Sequence, residues 1–150
     1  MRRSLAPLLM LALALLPLTQ SLHAQEDDET GGQSLFINLT SNEPNRARMA
    51  IMLARRVHSE KGIPTTIWLN VEGVRLVDRT LAQPHFEGEE TPLKQLEAFM
   101  REGGTVMVCP MCLKGVGGMT KDDLPAGVIL SEMEVFWQKA FADDVTVLSY

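Results

Sequence analysis

The chain has 150 residues, of which 45% are apolar and 22% charged, and its formal net charge is −5. These values lie close to the average of globular domains and exclude a collagen-like chain, a coiled coil and a disulfide-rich miniprotein. The length predicts one domain, and the negative charge argues against a nucleic-acid partner, because such proteins carry basic patches.

The first 24 residues have the layout of a secretory signal peptide. Arg2 and Arg3 precede an apolar run over 8–18, and small residues up to Ala24 provide a cleavage point. The run is shorter than the roughly 20 residues that a membrane span needs, and an uncleaved anchor is the alternative. We expect cleavage after residue 24, a periplasmic or secreted protein, and no membrane association after cleavage.

The segment that follows, 25–33 (QEDDETGGQ), is acidic and has no apolar side chain to bury. Such a composition is typical of a disordered linker. The folded domain is therefore expected to span residues 34–150.

Five short apolar runs alternate with amphipathic segments along this domain. They predict strands at 34–39, 65–69, 105–108, 128–130 and 145–148. Continuous apolar strands separated by helices indicate a mainly parallel sheet that is covered on both faces. We therefore predict a three-layer α/β/α fold with a mainly parallel five-stranded sheet.

Two helices are predicted in the first half of the domain. The first covers 46–61, with Pro44 suited to a first helical position and Gly62 to its end. The second begins at Pro92 and ends before Gly103. The segment 70–90 between the second strand and this helix contains glycine, proline and acidic residues, and is predicted to be a long loop.

The second half of the domain contains a short helical turn at 121–124 and a final helix. Ser131 and Glu134 predict a capping box at the start of that helix. Two tryptophans and four residues of the helix are expected in the core: Trp68, Trp137, Val135, Phe136, Ala140 and Phe141.

The chemistry centres on Cys109 and Cys112, the two cysteines of the chain, in a C-P-M-C motif at the end of the third predicted strand. In parallel sheets, sites form at the carboxyl ends of strands. Backbone N–H groups of the following turn and the nearby Lys114 would stabilise a thiolate. Cys109 is thus the candidate nucleophile or sulfur acceptor, and Cys112 can form a disulfide with it or attack a persulfide on it.

Three alternatives to this interpretation are open. A structural disulfide is common in exported proteins, but a C-x-x-C bridge closes a very small loop and stabilises little. A thioredoxin-like site is disfavoured because the pair follows the third strand instead of the first. A Cu(I) site is the third alternative, since thioethers and thiolates suit this ion. The methionines beside the cysteines are Met107, Met111 and Met119.

Four other polar residues are weaker site candidates. His58 is expected on the surface of the first helix, and His85 in the exposed long loop, where a role as an acid-base group or ligand over Cys109 is the alternative. Asn38 and Asn70 end the first two strands at the same edge as Cys109. Bracing of the loops there is their expected role, and binding of an anionic sulfur group is the alternative.

The order of these features resembles the DsrE/DsrF-like family of small sulfur-handling proteins. The resemblance covers nearly all of residues 34–150 and rests, besides the strand-end Cys109, on 42–47 (NEPNRA), Gly62, 72–74 (EGV), 103–104 (GG) and 123–124 (DL). It implies a three-layer α/β fold with a flavodoxin-like arrangement, assembly into trimers or hexamers, and a cysteine, here Cys109, that carries sulfane sulfur as a persulfide.

Two features distinguish this chain from the cytoplasmic relay proteins of that family. One is the export signal, and the other is Cys112, where the relay proteins usually have a small apolar residue. We therefore expect a periplasmic protein that binds or transfers sulfane sulfur through Cys109, with Cys112 as a resolving thiol. A Cu(I) module and a thiol-disulfide redox protein are the alternatives.

The expected partners of the site are sulfur donor and acceptor proteins or small sulfur compounds, together with copies of the same chain. The sequence leaves open whether the protein turns over as a sulfurtransferase or only carries sulfur. No nucleotide, flavin or haem motif is visible in the sequence. No cofactor and no resident metal are therefore predicted.

Overall fold

The structure is a computed structural model that describes residues 32–85 and 88–150. The predicted signal peptide, 1–24, and most of the predicted linker, 25–33, lie outside these residues. Within the two described ranges, no helix has the length and apolar character needed to cross a membrane.

Five parallel strands form one sheet, in the order β4-β3-β2-β1-β5. This confirms the predicted parallel sheet. β1–β3 have the predicted bounds, whereas β4 begins, and β5 ends, one residue later than predicted. The strands are β1 (Ser34–Leu39), β2 (Thr65–Leu69), β3 (Thr105–Val108), β4 (Ile129–Leu130) and β5 (Val145–Ser149).

Helices connect successive strands. The described residues form α1 (Pro44–Lys61), α2 (Pro92–Arg101), α3 (Pro110–Gly115) and α4 (Met133–Ala140), and two 3-10 helices, Val71–Val77 and Lys121–Asp123. Two of these elements differ from the prediction. The first 3-10 helix occupies a third of the predicted long loop, and α3 stands where a turn was expected after Cys109.

Pro44 and Gly62 bound the first helix, as the sequence predicts. The Glu43 side chain accepts hydrogen bonds from the backbone N–H groups of Asn45 (3.1 Å) and Arg46 (3.0 Å), and these bonds lower the pKa of Glu43. Pro44 occupies the first turn, where its missing N–H costs nothing. Gly62 ends the helix in the left-handed conformation (φ 67°) that glycine adopts without strain.

The direction of the crossovers explains which helices share a face of the sheet. β1 to β4 follow one another in a single direction, and β5 returns to the far side of β1. Because parallel crossovers are right-handed, α1 and α2 lie on one face, which we call the covered face. α4, in the reversed crossover, lies on the other face, which we call the α4 face.

The hydrophobic core lies on the covered face. Alternate residues of the central strands point into it, and the small residues of α1 allow the helix to approach closely. Its fully buried members include Ile37, Leu39, Ala47, Ala50, Ile51, Ala54, Ile67, Leu69, Leu96, Phe99, Val106 and Val108.

The α4 face carries an aromatic cluster that is only partly covered. Phe136 of α4 packs on Trp68 and Phe36 of the sheet, with ring centroids 4.4 and 5.8 Å away. Trp137 and Phe141 pack on Phe136 from outside and remain 48% and 67% exposed. The prediction that both residues are core is therefore wrong, because this face has one short helix to cover it.

The predicted capping box at Ser131 is also wrong. The residue at the N-cap of α4 is Glu132, and its side chain makes no capping hydrogen bond. Ser131 is buried, and its backbone N–H donates to Val108 at the end of β3 (2.9 Å). A capping box does occur at Thr120 and Asp123, where the Asp123 carboxylate accepts from both the N–H and the hydroxyl of Thr120.

Candidate functional site

Both cysteines lie at the carboxyl edge of the sheet. The backbone N–H of Cys109 donates to Leu69, the last residue of β2, at 2.9 Å. Cys109 then forms the N-cap of α3, which begins at Pro110 because a proline without an N–H suits that position. One turn later, Cys112 lies on the same short helix. The fold therefore brings the C-x-x-C pair to the edge where sites form in parallel sheets.

The two thiols face each other and are not joined in a disulfide. Each cysteine is half-buried, and Cys112 also packs against the core of the covered face. Burial raises the pKa of the Cys112 thiol, and the hydrogen bond with Cys109 and the carboxylate of Glu72 raise it further. These contacts therefore favour the protonated form of the Cys112 thiol.

The backbone contacts of the pair differ from the prediction. The side chain of Cys109 makes no capping hydrogen bond to α3, and Lys114, the predicted nearby cation, lies exposed on that helix. Instead, the backbone N–H of Val71 acts on Cys112 and lowers the pKa of its thiol, against the effect of burial.

Val71 was missed by the sequence reasoning. It has a φ of 48°, and it is the one non-glycine residue in the left-handed region among residues 32–85 and 88–150. The available signal was Gly73, two residues later. A Cβ there would lie 2.2 Å from the carbonyl oxygen of Leu39, so the turn after β2 is pressed against the end of β1.

Asn38 and Asn70 brace this edge, as expected. The Asn70 amide donates to the Asn38 side-chain oxygen (2.6 Å), and the Asn38 amide donates to the hydroxyl of Ser149 in β5 (3.2 Å). Asn70 is buried. The two side chains thus link β1, β2 and β5 beside the cysteines.

The two candidate histidines, His58 and His85, contact backbone carbonyl oxygens. His58 was expected on the surface but is half-buried. Its ring contacts the carbonyl oxygens of Ile63 (3.3 Å) and Glu102 (3.0 Å) and packs edge-on against Phe99. His85 is exposed, as expected, and its ring contacts the carbonyl oxygen of Gln83. Among the described residues, the hydrogen-bond contacts of these two rings are with carbonyl oxygens and not with Cys109.

The methionines proposed for copper are in three different environments. Met107 is fully buried, Met119 belongs to the core of the covered face, and Met111 is 82% exposed. The part of the chain that the structure describes contains no group of three or more His, Cys, Asp or Glu residues arranged to hold a metal ion. The geometry thus gives no support to the Cu(I) interpretation.

A groove of about 420 Å³ lies elsewhere, on the outer surface of α1 and α2. Two ion pairs cross it, Arg48 with Glu89 and Arg55 with Glu102. Because these charged side chains pair with each other, the groove is a weaker candidate for the site of chemistry than the thiol pair.

The comparisons with known proteins agree with this architecture. The ychN protein from E. coli has a crystal structure with a TM-score of 0.61 and 20% identity, and the MTH1491 protein from Methanobacterium thermoautotrophicum, of unknown function, gives 0.63 and 13%. Each match covers 79% of this chain and 99% of the other, and shows the fold alone.

No curated protein matches the chain. A family profile does, over residues 33–147, and it is that of the DsrE/DsrF-like family. Because the match covers more than half of the sequence and agrees with the fold, the chain belongs to the DsrE/DsrF-like family.

Proposed function

We propose that this protein carries sulfane sulfur as a persulfide on Cys109, with Cys112 as the resolving thiol. The observation that carries the proposal is the contact between two half-buried thiols at the carboxyl edge of the sheet in a DsrE-family chain. We assign the first reaction to Cys109, because burial raises the pKa of the Cys112 thiol and so disfavours the Cys112 thiolate. Sulfur relay is general in this family, and the residue roles are specific to this proposal.

The loading step transfers one sulfur atom. The Cys109 thiolate attacks the outer sulfur of a donor persulfide, R–S–SH. The donor S–S bond breaks, its electron pair leaves with RS⁻, and Cys109–S–SH is formed. An acceptor thiolate can then attack the terminal sulfur and regenerate the Cys109 thiolate.

The resolving step uses Cys112. Its thiolate attacks Sγ of the Cys109 persulfide, a Cys109–Cys112 disulfide forms, and the terminal sulfur leaves as HS⁻. Two electrons from external thiols, which become a disulfide, return the pair to its reduced state. If the protein turns over through this disulfide, it is a thiol-disulfide enzyme. If it passes the sulfur to an acceptor without forming the disulfide, it is a sulfur carrier.

Intact mass spectrometry after exposure to inorganic polysulfide tests the proposal. Wild-type protein is expected to gain one sulfur atom and then to lose it as sulfide while the disulfide forms. Cys112→Ser should keep the adduct, and Cys109→Ser should form it at least about tenfold more slowly, since burial raises the pKa of the remaining thiol. Equal rates of adduct formation in Cys109→Ser and wild type would contradict the role of Cys109.

We also propose that the protein is exported and acts in the periplasm. The support is the arrangement of charges and apolar residues in 1–24. Full-length protein expressed in a Gram-negative host should be recovered from the periplasm with Gln25 as its first residue. Leu13→Arg, which interrupts the apolar run, should keep the full-length mass, and a processed product from this variant would contradict the proposal.

Assembly with further copies of the same chain is proposed to use the α4 face. The support is the exposure of the large apolar side chains Trp137 and Phe141 on this face, since contiguous exposed apolar patches mark association surfaces. Sedimentation equilibrium should give a mass of several chains, reduced in Trp137→Lys. Leu81→Lys, a change at an equally exposed residue away from α4, is the matched control and should keep the assembly. A monomeric wild type would contradict this proposal.

A further inference from the structure

The turn after β2 holds a backbone conformation that its sequence does not favour. Val71 has a φ of 48°, and a β-branched side chain is strongly disfavoured in that region. Its side chain is 40% exposed, so little packing is gained in return. Such strain persists where the surroundings impose it, and it concentrates at functional sites.

The surroundings of Val71 impose this conformation from both sides. Before it, the Asn70 N–H donates to Leu39 (3.1 Å), and the Asn70 side chain is held by Asn38. After it, the Gly73 N–H donates to the carbonyl oxygens of Asn70 (2.9 Å) and Thr40 (3.1 Å). The absence of a Cβ at Gly73 lets this segment lie directly on the end of β1.

The consequence of the strained turn is the direction of one peptide group. The 3-10 helix that starts at Val71 packs against α3, and the Val71 N–H faces the thiol of Cys112. The other groups acting on that thiol are Cys109 and Glu72, and both disfavour its anion. An N–H donor fixed in advance favours a sulfur anion without having to be reorganised when the charge forms.

We propose that the strained Val71 peptide is a positioning group of the sulfur site, whose fixed N–H binds the thiolate of Cys112. The inference rests on the proposed function and extends it to the reductive half of the cycle. An external thiolate attacks Sγ of Cys109 in the Cys109–Cys112 disulfide, and the S–S bond breaks. The electron pair goes to Sγ of Cys112, where the Val71 N–H stabilises the charge until a proton arrives.

Replacement of the 70–71 amide by an ester removes this N–H and keeps the side chain. The hydroxy-acid analogue of valine is introduced at position 71 by cell-free suppression in the Cys109→Ser background. The alkylation rate of Cys112 near neutral pH should fall about threefold to tenfold, because a hydrogen bond to a charged group is lost. The pH midpoint of alkylation should move upward in parallel.

A matched control separates this effect from a change of fold. An ester at Leu81, in an exposed bend, should keep the alkylation rate within about twofold. A folded ester variant at Val71 with an unchanged midpoint would overturn the inference.

A second measurement needs no chemical change at Val71. In reduced Cys109→Ser protein, carbon-detected NMR follows the backbone nitrogen of Val71 as pH rises, and its resonance should shift with the midpoint of Cys112. The shift should vanish when Cys112→Ser is added, and a Val71 shift no larger than that of Gly73 would overturn the inference. Neither measurement involves sulfur transfer, so loss of the Cys109 persulfide and loss of the Val71 contact are separate outcomes.

Discussion

The two faces of the sheet differ in how completely helices cover them. On the covered face, α1 and α2 bury the inward residues of β1–β3 completely. On the α4 face, one helix of eight residues covers part of five strands, and Trp137 and Phe141 stay largely exposed. The difference indicates that one face supplies most of the stability of the chain, whereas the other offers apolar surface to another molecule.

The largest expected effect is the difference in the free energy of unfolding between two variants, each of which loses an aromatic ring from one face. Phe99 of α2 is fully buried, so Phe99→Ala should lower the free energy of unfolding by about 3–5 kcal/mol through lost burial and a cavity. Phe141→Ala, at a 67% exposed ring, should change it by less than about 0.5 kcal/mol in dilute solution. Urea unfolding measures both.

Protein concentration sharpens this test, because association through the α4 face stabilises the folded chain by mass action. The unfolding midpoint of wild type should rise with concentration, and the midpoint of Phe141→Ala should rise less. If Phe141→Ala costs as much as Phe99→Ala in dilute solution, the two faces contribute alike and the comparison fails.

The second prediction concerns the point where the covered face meets the thiol site. Gly73→Ala places a Cβ 2.2 Å from the carbonyl oxygen of Leu39, so the backbone must shift. We expect a loss of about 1–3 kcal/mol in the free energy of unfolding, together with altered alkylation of Cys112. Gly115→Ala is the control, since a Cβ there meets nothing within 4 Å. Equal stability of the two variants would show that the turn is not pressed onto β1.

The sequence was sufficient for the sheet and for the edge of the sheet at which the two cysteines lie, but not for the contacts that they make there. Short apolar runs located β1–β3, and the strand-end position of Cys109 located the edge where the thiols meet. The conformation of Val71 could not be read, because it is imposed by Leu39 and Thr40, which are distant in sequence. Phe141 was assigned to the core for a related reason. Helical spacing shows which residues share a side of α4 but not whether another element covers that side.

The third prediction uses the contact of Cys112 with the core of the covered face. Burial raises the pKa of this thiol, so the folded chain holds the proton more tightly than the unfolded chain, where the pKa is about 8.5. The stabilisation is fully present below that value and is lost as pH rises through the folded pKa. For reduced protein in urea, the decline in stability above pH 8 should be shallower in Cys112→Ser. Identical declines would mean that the thiol is solvated.

The smallest effect is expected on the outer surface of the covered face, where Arg55 of α1 pairs with Glu102 after α2. The Arg55 Nε lies 3.1 Å from a Glu102 oxygen, and the hydrogen bond with Arg55 lowers the pKa of that carboxyl. Both side chains are about one-third exposed, so Glu102→Gln should cost only about 0.2–1 kcal/mol, and less in high salt.

Its pH dependence has the opposite sign to that of Cys112. The contribution of the Arg55–Glu102 pair is present above the ordinary carboxyl pKa and is lost as pH falls through the lowered one. Unfolding of wild type and Glu102→Gln should therefore converge in acid, and high salt should bring them together at neutral pH. A cost that persists in both conditions would mean that Glu102 acts through packing on α1. In that case side-chain packing stabilises the outer surface of α1 and α2 as well as the core beneath them. The covered face would then differ from the α4 face by more than its buried residues alone indicate.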